Sequence, residues 1–339
     1  MKPSTIPRAP ARRTRPAATR AMLVLGTALV LAGPAFAQGW PNRPIRILLP
    51  FAGGTDVVAR ILAARLSQSL GQQVIPEPRL GAGGNLAHEA VIKAAPDGYT
   101  LLVHHIGMAT SPALYRKMPY DTLGDFEYLG MINDVPMTIV GRPTLPPNTF
   151  PELVKWLEAN KGKINLANAG LGAASHLCGL LFQQSLKIDM ATIPYKGTAP
   201  AMTDLLGGQV DIMCDQTTNT SGQIESGSIK AYAVTSAKRL TTPALAKLPT
   251  LDESGMRSFN VGIWHGLYAP KGTPRAIQDQ LNAALRAALK DADFIKKQEA
   301  LGAVVMTDAR TGQAEHKKFV EAEIAKWGPV IKAAGQYAD

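Results

Sequence analysis

The sequence predicts an α/β protein of two lobes, each a mostly parallel sheet flanked by helices, with a ligand cleft between them. Three observations predict it. Apolar strand-like runs alternate with amphipathic helical stretches along the chain. The alternation falls into two successive blocks, joined by extended segments near 137–140 and 261–264. Three junctions pass from an apolar strand through a glycine-rich loop into a helix, at 45–56, 74–85 and 164–176. Each such junction aims free backbone N–H groups beyond the helix start, which makes it a candidate anion site.

The chain opens on a targeting segment. Lys2, Arg8, Arg12, Arg13, Arg15 and Arg20 form a basic region without an acidic residue, and an apolar stretch follows at 21–32. Ala35-Phe36-Ala37 is a small-residue cleavage site, so the mature chain is expected to begin at Gln38. The apolar stretch is too short to span a bilayer comfortably. Arg12-Arg13 is followed by Thr-Arg-Pro rather than an apolar pair, which favours the general secretory route over a twin-arginine one. Pro34 stands where a lipid-bearing cysteine would be, so the mature protein is expected to be unanchored. Removing the signal takes away six of the 36 basic residues and leaves 30 against 26 acidic ones. The high pI belongs mostly to the signal, and no strong basic patch remains to suggest nucleic-acid binding.

The elements follow in order. The run Ile45-Arg-Ile-Leu-Leu49 is nearly all apolar, as a buried parallel strand requires. The next helix places Val58, Ile61, Leu62, Leu66 and Leu70 on one face and ends at Gly71. A second strand at 74–75, a helix at 86–94 and a third strand at 100–103 complete a βαβαβ start. The second block begins with a helix at 151–160, with Thr149 as its N-cap and Pro151 in its first turn. A strand at 164–167, helices at 176–185 and 199–206, and strands at 210–213, 230–235 and 261–268 follow. Amphipathic helices at 274–290 and 312–334 close the chain and return to the first lobe. The lobes are expected to be 38–139 plus 264–339, and 140–263.

Residues that would carry catalysis do not assemble in the sequence. There is no G-x-S-x-G elbow and no P-loop. Ser175 and His176 are adjacent, and neighbours on a helix start diverge. His88-Glu89 lacks a second histidine at position 92, and His104 and His105 point to opposite faces if they continue a strand, so no metal site is expected. No catalytic residue, cofactor or metal is therefore expected. Lys196 is either an anion partner or a solvated loop lysine. Asp215 with Thr217-Thr218-Asn219 either faces a cleft or caps a short helix at 220–224. Asp56 reads as a first-turn acid complementing its helix dipole. Cys178 and Cys214 either form a disulfide, as an oxidising compartment permits, or are two buried small apolar residues.

An ordered series of short motifs resembles one family, the periplasmic solute-binding proteins of tripartite tricarboxylate transporters, called Bug proteins. It includes Trp40-Pro-Asn-Arg-Pro-Ile-Arg46, Asp56-Val-Val-Ala-Arg60, Gly81-Ala-Gly-Gly84, Pro96-Asp-Gly-Tyr-Thr-Leu-Leu102, Pro119-Tyr-Asp121 and Ser175-His-Leu177. It continues with Pro194-Tyr-Lys-Gly197, Asp204-Leu-Leu-Gly-Gly-Gln-Val-Asp211, Ala233-Val-Thr-Ser236, Trp264-His-Gly-Leu-Tyr-Ala-Pro270 and Gly272-Thr-Pro274. The series covers nearly the whole mature chain.

The resemblance implies a type II periplasmic binding-protein fold that captures a small mono-, di- or tricarboxylate for the subunits of a membrane permease. A periplasmic, monomeric protein is implied. The ligand is expected to be held by strand–helix loops, here Phe51, Ala52, Gly53, Gly54 and Thr55; Gly83, Gly84 and Asn85; and Gly172, Ala173, Ala174 and Ser175. Asp215 would lie near bound waters, and His104, His105 and Met108 would line the far end and choose the rest of the ligand. Relatives usually carry two residues between Pro-Phe and Gly-Gly and two more before the Asp. Here Ala52 and Thr55 stand alone, so the first loop is two residues shorter, which either withdraws donors or widens the pocket. The family does not imply the disulfide. A soluble sensor for a membrane signalling protein would have the same pocket, and a secreted esterase using Ser175 is the reading from a third class.

Overall fold

The computed structural model describes residues 39–335 and 337, apart from Ser258 and Asn260. The expected signal at 1–37 and its cleavage after Ala37 lie outside the described residues. From Trp40 onward the chain forms one compact unit. No helix among the described residues is long and apolar enough to cross a membrane.

The first elements are β1 (Ile45–Leu49), α1 (Gly54–Leu70), β2 (Val74–Pro78), α2 (Asn85–Ile92), β3 (Thr100–His105), α3 (Gly107–Leu114) and the long β4 (Phe126–Gly141). Then come α4 (Phe150–Ala159), β5 (Asn165–Asn168), α5 (Ala174–Leu186), β6 (Ala191–Pro194), α6 (Thr198–Leu206), β7 (Ile212–Gln216), α7 (Thr217–Glu225) and β8 (Lys230–Val234). The chain closes with β9 (Gly262–Pro270), α8 (Arg275–Ala288), α9 (Ala292–Ala300), β10 (Val304–Val305) and α10 (Gln313–Ala334).

Local sequence explains most of these. Val58, Leu62 and Leu66 recur at helical spacing and are fully buried, each contributing about 1.5–3 kcal/mol. Gly71, in the left-handed conformation at φ 66°, ends α1. The Thr149 side chain accepts from the Glu152 N–H and caps α4, with Pro151 in its first turn. Helix α3 escapes a periodicity reading because seven of its eight residues are buried, so it has no polar stripe.

One sheet runs in the order β2-β1-β3-β9-β4-β7-β5-β6, with β8 and β10 also pairing to β4. Its flanks are parallel: β1 pairs β2 and β3, and β5 pairs β6 and β7 in that sense. Its middle is antiparallel, because β9 pairs β3 and β4, and β4 pairs β7 and β8, in that sense. The 16-residue β4 pairs β9 from Phe126 to Pro136, then β7 and β8 from Met137 to Gly141. One strand thus belongs to both halves of the molecule. Two register shifts, at Tyr128/Gly130 and Met131/Asn133, bend its first half. Gly130 has φ 138°, and a β-carbon there would stand 2.5 Å from the Thr311 carbonyl oxygen, so only glycine fits this approach.

Helices cover both faces of the first half. Leu62, Leu281, Leu285 and Phe294 pack on Ile47 and Val103 on one side, while Val320, Trp327 and Ile331 of α10 belong to the core on the other. In the second half a disulfide joins Cys178 on α5 to Cys214 on β7, which decides between the two alternatives the sequence leaves open.

Candidate functional site

Four helices begin at the wall of one cavity between the two halves. Helix α1 starts at Gly54, α5 at Ala174, α6 at Thr198 and α7 at Thr217. Their N-cap residues are Gly53, Ala173, Gly197 and Gln216, and none supplies a side-chain capping bond. The first N–H groups of a helix lack intrahelical partners, and its N-terminus carries about half a positive charge. Thr55, Ser175, Thr198 and Gln216, from the first turns or the residue just before, line the cavity together. None of its described lining residues is Lys or Arg, so any attraction it offers an anion comes from backbone N–H groups and helix dipoles.

The sequence builds this convergence locally. Gly53 and Gly197 both take φ 107°, where a side chain is strained, and turn the chain sharply from loop into helix. The two halves touch here: the Thr198 N–H donates to the Ala52 carbonyl at 3.2 Å. The Phe51 ring packs on Ala169 and Ala173 of the other half. What remains between them is about 10 Å³, the room of about one water molecule. Phe51 and Ala52 of the first loop thus stand against the opposite half.

Asp215 is the acid of the site. It lines the cavity with 2% exposure, and its carboxylate accepts from Asn219 Nδ2 at 2.7 Å and from the Thr198 hydroxyl at 3.4 Å. Burial outweighs those bonds and pushes its pKa up to about 7. Ser175 Oγ accepts from the Ala169 N–H at 2.8 Å, which leaves the hydroxyl hydrogen of Ser175 for another partner. His105 closes the floor, stacked on Phe51 with ring centroids 4.8 Å apart, and its Nδ1 accepts from the Gly107 N–H. Burial holds His88, His104, His105 and His265 well below the usual histidine range, so the cluster is neutral near pH 7. Among the described residues no group of three or more His, Cys, Asp or Glu is placed to hold a metal ion.

The sequence model described as "Tripartite tricarboxylate transporter family receptor" matches residues 58–336. The chain belongs to this family. The receptor is 48% identical to the periplasmic binding protein BugD, whose solved structure superimposes with a TM-score of 0.84 over 88% of this chain and 99% of that one. It is 37% identical to MatC from Rhodopseudomonas palustris, solved with bound malate, with a TM-score of 0.81 over 86% and 100%. A second Rhodopseudomonas palustris protein, solved with adipate, is 34% identical, with a TM-score of 0.82 over 87% and 98%. These likenesses place the receptor among two-lobed periplasmic binding proteins, whose role is to bind a solute.

The structure brings Phe51, Ala52, Thr55, His105, Ala173, Ala174, Ser175 and Asp215 of the receptor to the cavity. Gly53 and Gly54 sit at the seam, Gly53 beside Thr198 and Asn219, and Gly54 against Gln216 and Thr218. The second loop stands behind Phe51. A β-carbon on Gly84 would meet Pro50 at 2.8 Å and the Phe51 ring at 3.4 Å, Gly83 belongs to the same 3-10 turn, and Asn85 Oδ1 accepts from the Tyr120 hydroxyl. Gly172 turns away, with its N–H donating to His176 Nδ1. His104 is buried behind Phe51 between His88 and His105, and the Met108 sulfur lies 3.2 Å from His88 Nε2. Lys196 is exposed, and Asp56 pairs with Arg60 on the outer face of α1.

Ala169, Thr198 and Gln216 line the cavity without having been singled out in the sequence. Thr198 follows a glycine that opens a helix, and Gln216 follows Asp215 at a strand end. Those two positional signals could have found them.

Proposed function

We propose that the receptor captures a small organic dicarboxylate between its two lobes in the periplasm and delivers it to the membrane subunits of a tripartite tricarboxylate transporter. The observation that carries this reading is the meeting of four uncapped helix N-termini at one interlobe cavity. A carboxylate there accepts backbone N–H bonds worth about 1.5–3 kcal/mol each, so three or four support micromolar binding. The malate and adipate bound to two relatives support the ligand class.

The lobes are 38–139 plus 264–339, and 140–263, and they separate by bending at β4, which pairs with β9 in one half and with β7 and β8 in the other. Separation is needed, because a space of about 10 Å³ admits no dicarboxylate. The ligand then favours closure, since only the closed form lets it touch both lobes. The mature chain is a periplasmic monomer cut after Ala37. The reading as a receptor rather than an enzyme is supported by Ser175 Oγ accepting from the Ala169 N–H and His176 Nδ1 from the Gly172 N–H, an arrangement that does not pair the two as nucleophile and base.

A thermal-shift series over malate, succinate, adipate, citrate and monocarboxylates tests the reading. Dicarboxylates should raise the melting temperature in proportion to their binding. A flat response across the series overturns it. N-terminal sequencing of the periplasmic protein tests the cleavage, and light scattering tests the monomer.

A further inference from the structure

Two histidines and a thioether meet in the first lobe, behind the Phe51 ring and apart from the residues that line the interlobe cavity. His88 Nδ1 lies 3.0 Å from the Gly84 carbonyl oxygen, and His88 Nε2 lies 3.2 Å from the Met108 sulfur. The His104 ring stands edge-on to His88 with centroids 4.5 Å apart, and neither of its nitrogens has a hydrogen-bond partner. His88, His104 and Met108 are all fully buried.

Local structure holds the set in place. His88 follows Gly84 by one helical turn, so its ring reaches back to that carbonyl. Tyr120 stacks on the His88 ring at 4.5 Å and Phe126 meets it edge-on. His104 ends β3 with His105, and Met108 sits in the first turn of α3. A β-carbon on Gly107 would stand 2.8 Å from His104 Nε2, so that nitrogen faces the turn that carries Met108.

The contacts of His88 do not balance. A carbonyl oxygen and a thioether sulfur are both acceptors, so each calls for a ring hydrogen. Burial pushes the His88 pKa down to about 3, so the ring is neutral and has one hydrogen for two contacts. Whichever nitrogen carries it, the other presses a lone pair against an acceptor. The carbonyl is the stronger acceptor, which favours the hydrogen on Nδ1 and sets the Nε2 lone pair against the sulfur. His104 adds a second ring whose nitrogens are buried with nothing to meet, which is costly away from water.

A cation between Nε2 and the sulfur turns both lone pairs into ligands and leaves Nδ1–H on a carbonyl, the arrangement common to metal-binding histidines. The set lacks the third histidine, cysteine or acid of a zinc site. His105 spends its Nδ1 on the Gly107 N–H. Imidazole and thioether are soft donors, and all three here are neutral, so one buried positive charge costs far less than two. We propose that His88 Nε2, a ring nitrogen of His104 and the Met108 sulfur form a binding site for a soft monovalent cation of the Cu(I) and Ag(I) class. The site stands apart from the interlobe cavity and does not depend on the receptor reading.

Titration of the mature protein with Ag(I) in chloride-free buffer tests it, because Ag(I) needs no reductant and leaves the Cys178–Cys214 disulfide intact. One equivalent should bind with saturation and raise the melting temperature. Met108→Leu keeps the apolar volume and should fold, with Ag(I) affinity lower by about tenfold or more. His104→Phe should lose as much. Histidine 15N spectra give a readout that a packing role would not move: Ag(I) should shift His88 Nε2 while Nδ1 stays protonated. Zn(II) under the same conditions should bind about tenfold or more weakly than Ag(I). The inference is overturned by a wild type without saturable binding of one equivalent, by undiminished affinity in Met108→Leu, by an unmoved Nε2 resonance, or by Zn(II) binding as tightly as Ag(I).

Discussion

Gly54, the first residue of α1, lies so close to Gln216 of the opposite half that a β-carbon would overlap its side-chain amide, and Thr218 Oγ1 would stand only 2.6 Å away. The Gly54 backbone is helical, so alanine there strains nothing locally. Gly54→Ala is therefore a wedge between the halves. It should weaken dicarboxylate binding at least tenfold while costing about 1–3 kcal/mol of stability at most. Small-angle scattering should show a larger radius of gyration than wild type without ligand. An unchanged radius with unchanged affinity would mean that the halves do not meet through this seam.

Asp215 gives the unliganded protein a pH signature. Its folded pKa, about 7, is raised from 3.8, so the protonated form is favoured by folding. Its contribution to stability is full below 3.8 and is lost as pH climbs through 7. Between pH 5 and 8 that loss is on the order of 2–3 kcal/mol. Asp215→Asn should lack this part of the fall, so its melting temperature relative to wild type should rise with pH. Parallel melting curves for the two proteins from pH 5 to 8 would refute the assignment.

The Cys178–Cys214 disulfide closes a 36-residue separation and ties down two cavity residues. Cys214 directly precedes Asp215, and Cys178 lies one turn beyond Ser175. Chain-entropy reasoning puts the bond at about 4 kcal/mol. Reduction, or Cys178→Ser with Cys214→Ser, should lower the melting temperature by roughly 5–10 °C. Calorimetry with and without a phosphine reductant checks it. Ligand affinity should fall in the same samples.

Ser175→Ala should cost about tenfold to a hundredfold in dicarboxylate affinity, the worth of one bond to a charged group. Part of that loss comes from the Ala169 N–H, which loses its acceptor. Isothermal titration measures it. Ester turnover by the wild type that vanished in the variant would instead favour a hydrolase.

Much of this architecture is visible in the chain before folding. The spacing of Val58, Leu62 and Leu66, the stop at Gly71 and the cap at Thr149 are local facts, and a local pattern states them fully. The strands beside the glycine-rich loops are equally visible, because both faces of a parallel strand are buried and its residues are apolar throughout. The length of β4 is not visible. Asn133, Asp134 and Pro136 interrupt its apolar run, and they are tolerated because its partners change there, from β9 to β7 and β8.

The site divides along the same line. By itself the sequence determined that several helices begin on glycine-rich or otherwise uncapped turns and that each offers free N–H groups. Only the tertiary structure decided which of them meet. It joined α1, α5, α6 and α7, set the 81–84 loop behind Phe51, and recruited Thr198 and Gln216. The physical reason is that a helix end is built by the residues within one turn of it. The convergence of ends depends on strands far apart in the chain lying side by side, as β4 does with β7 and with β9.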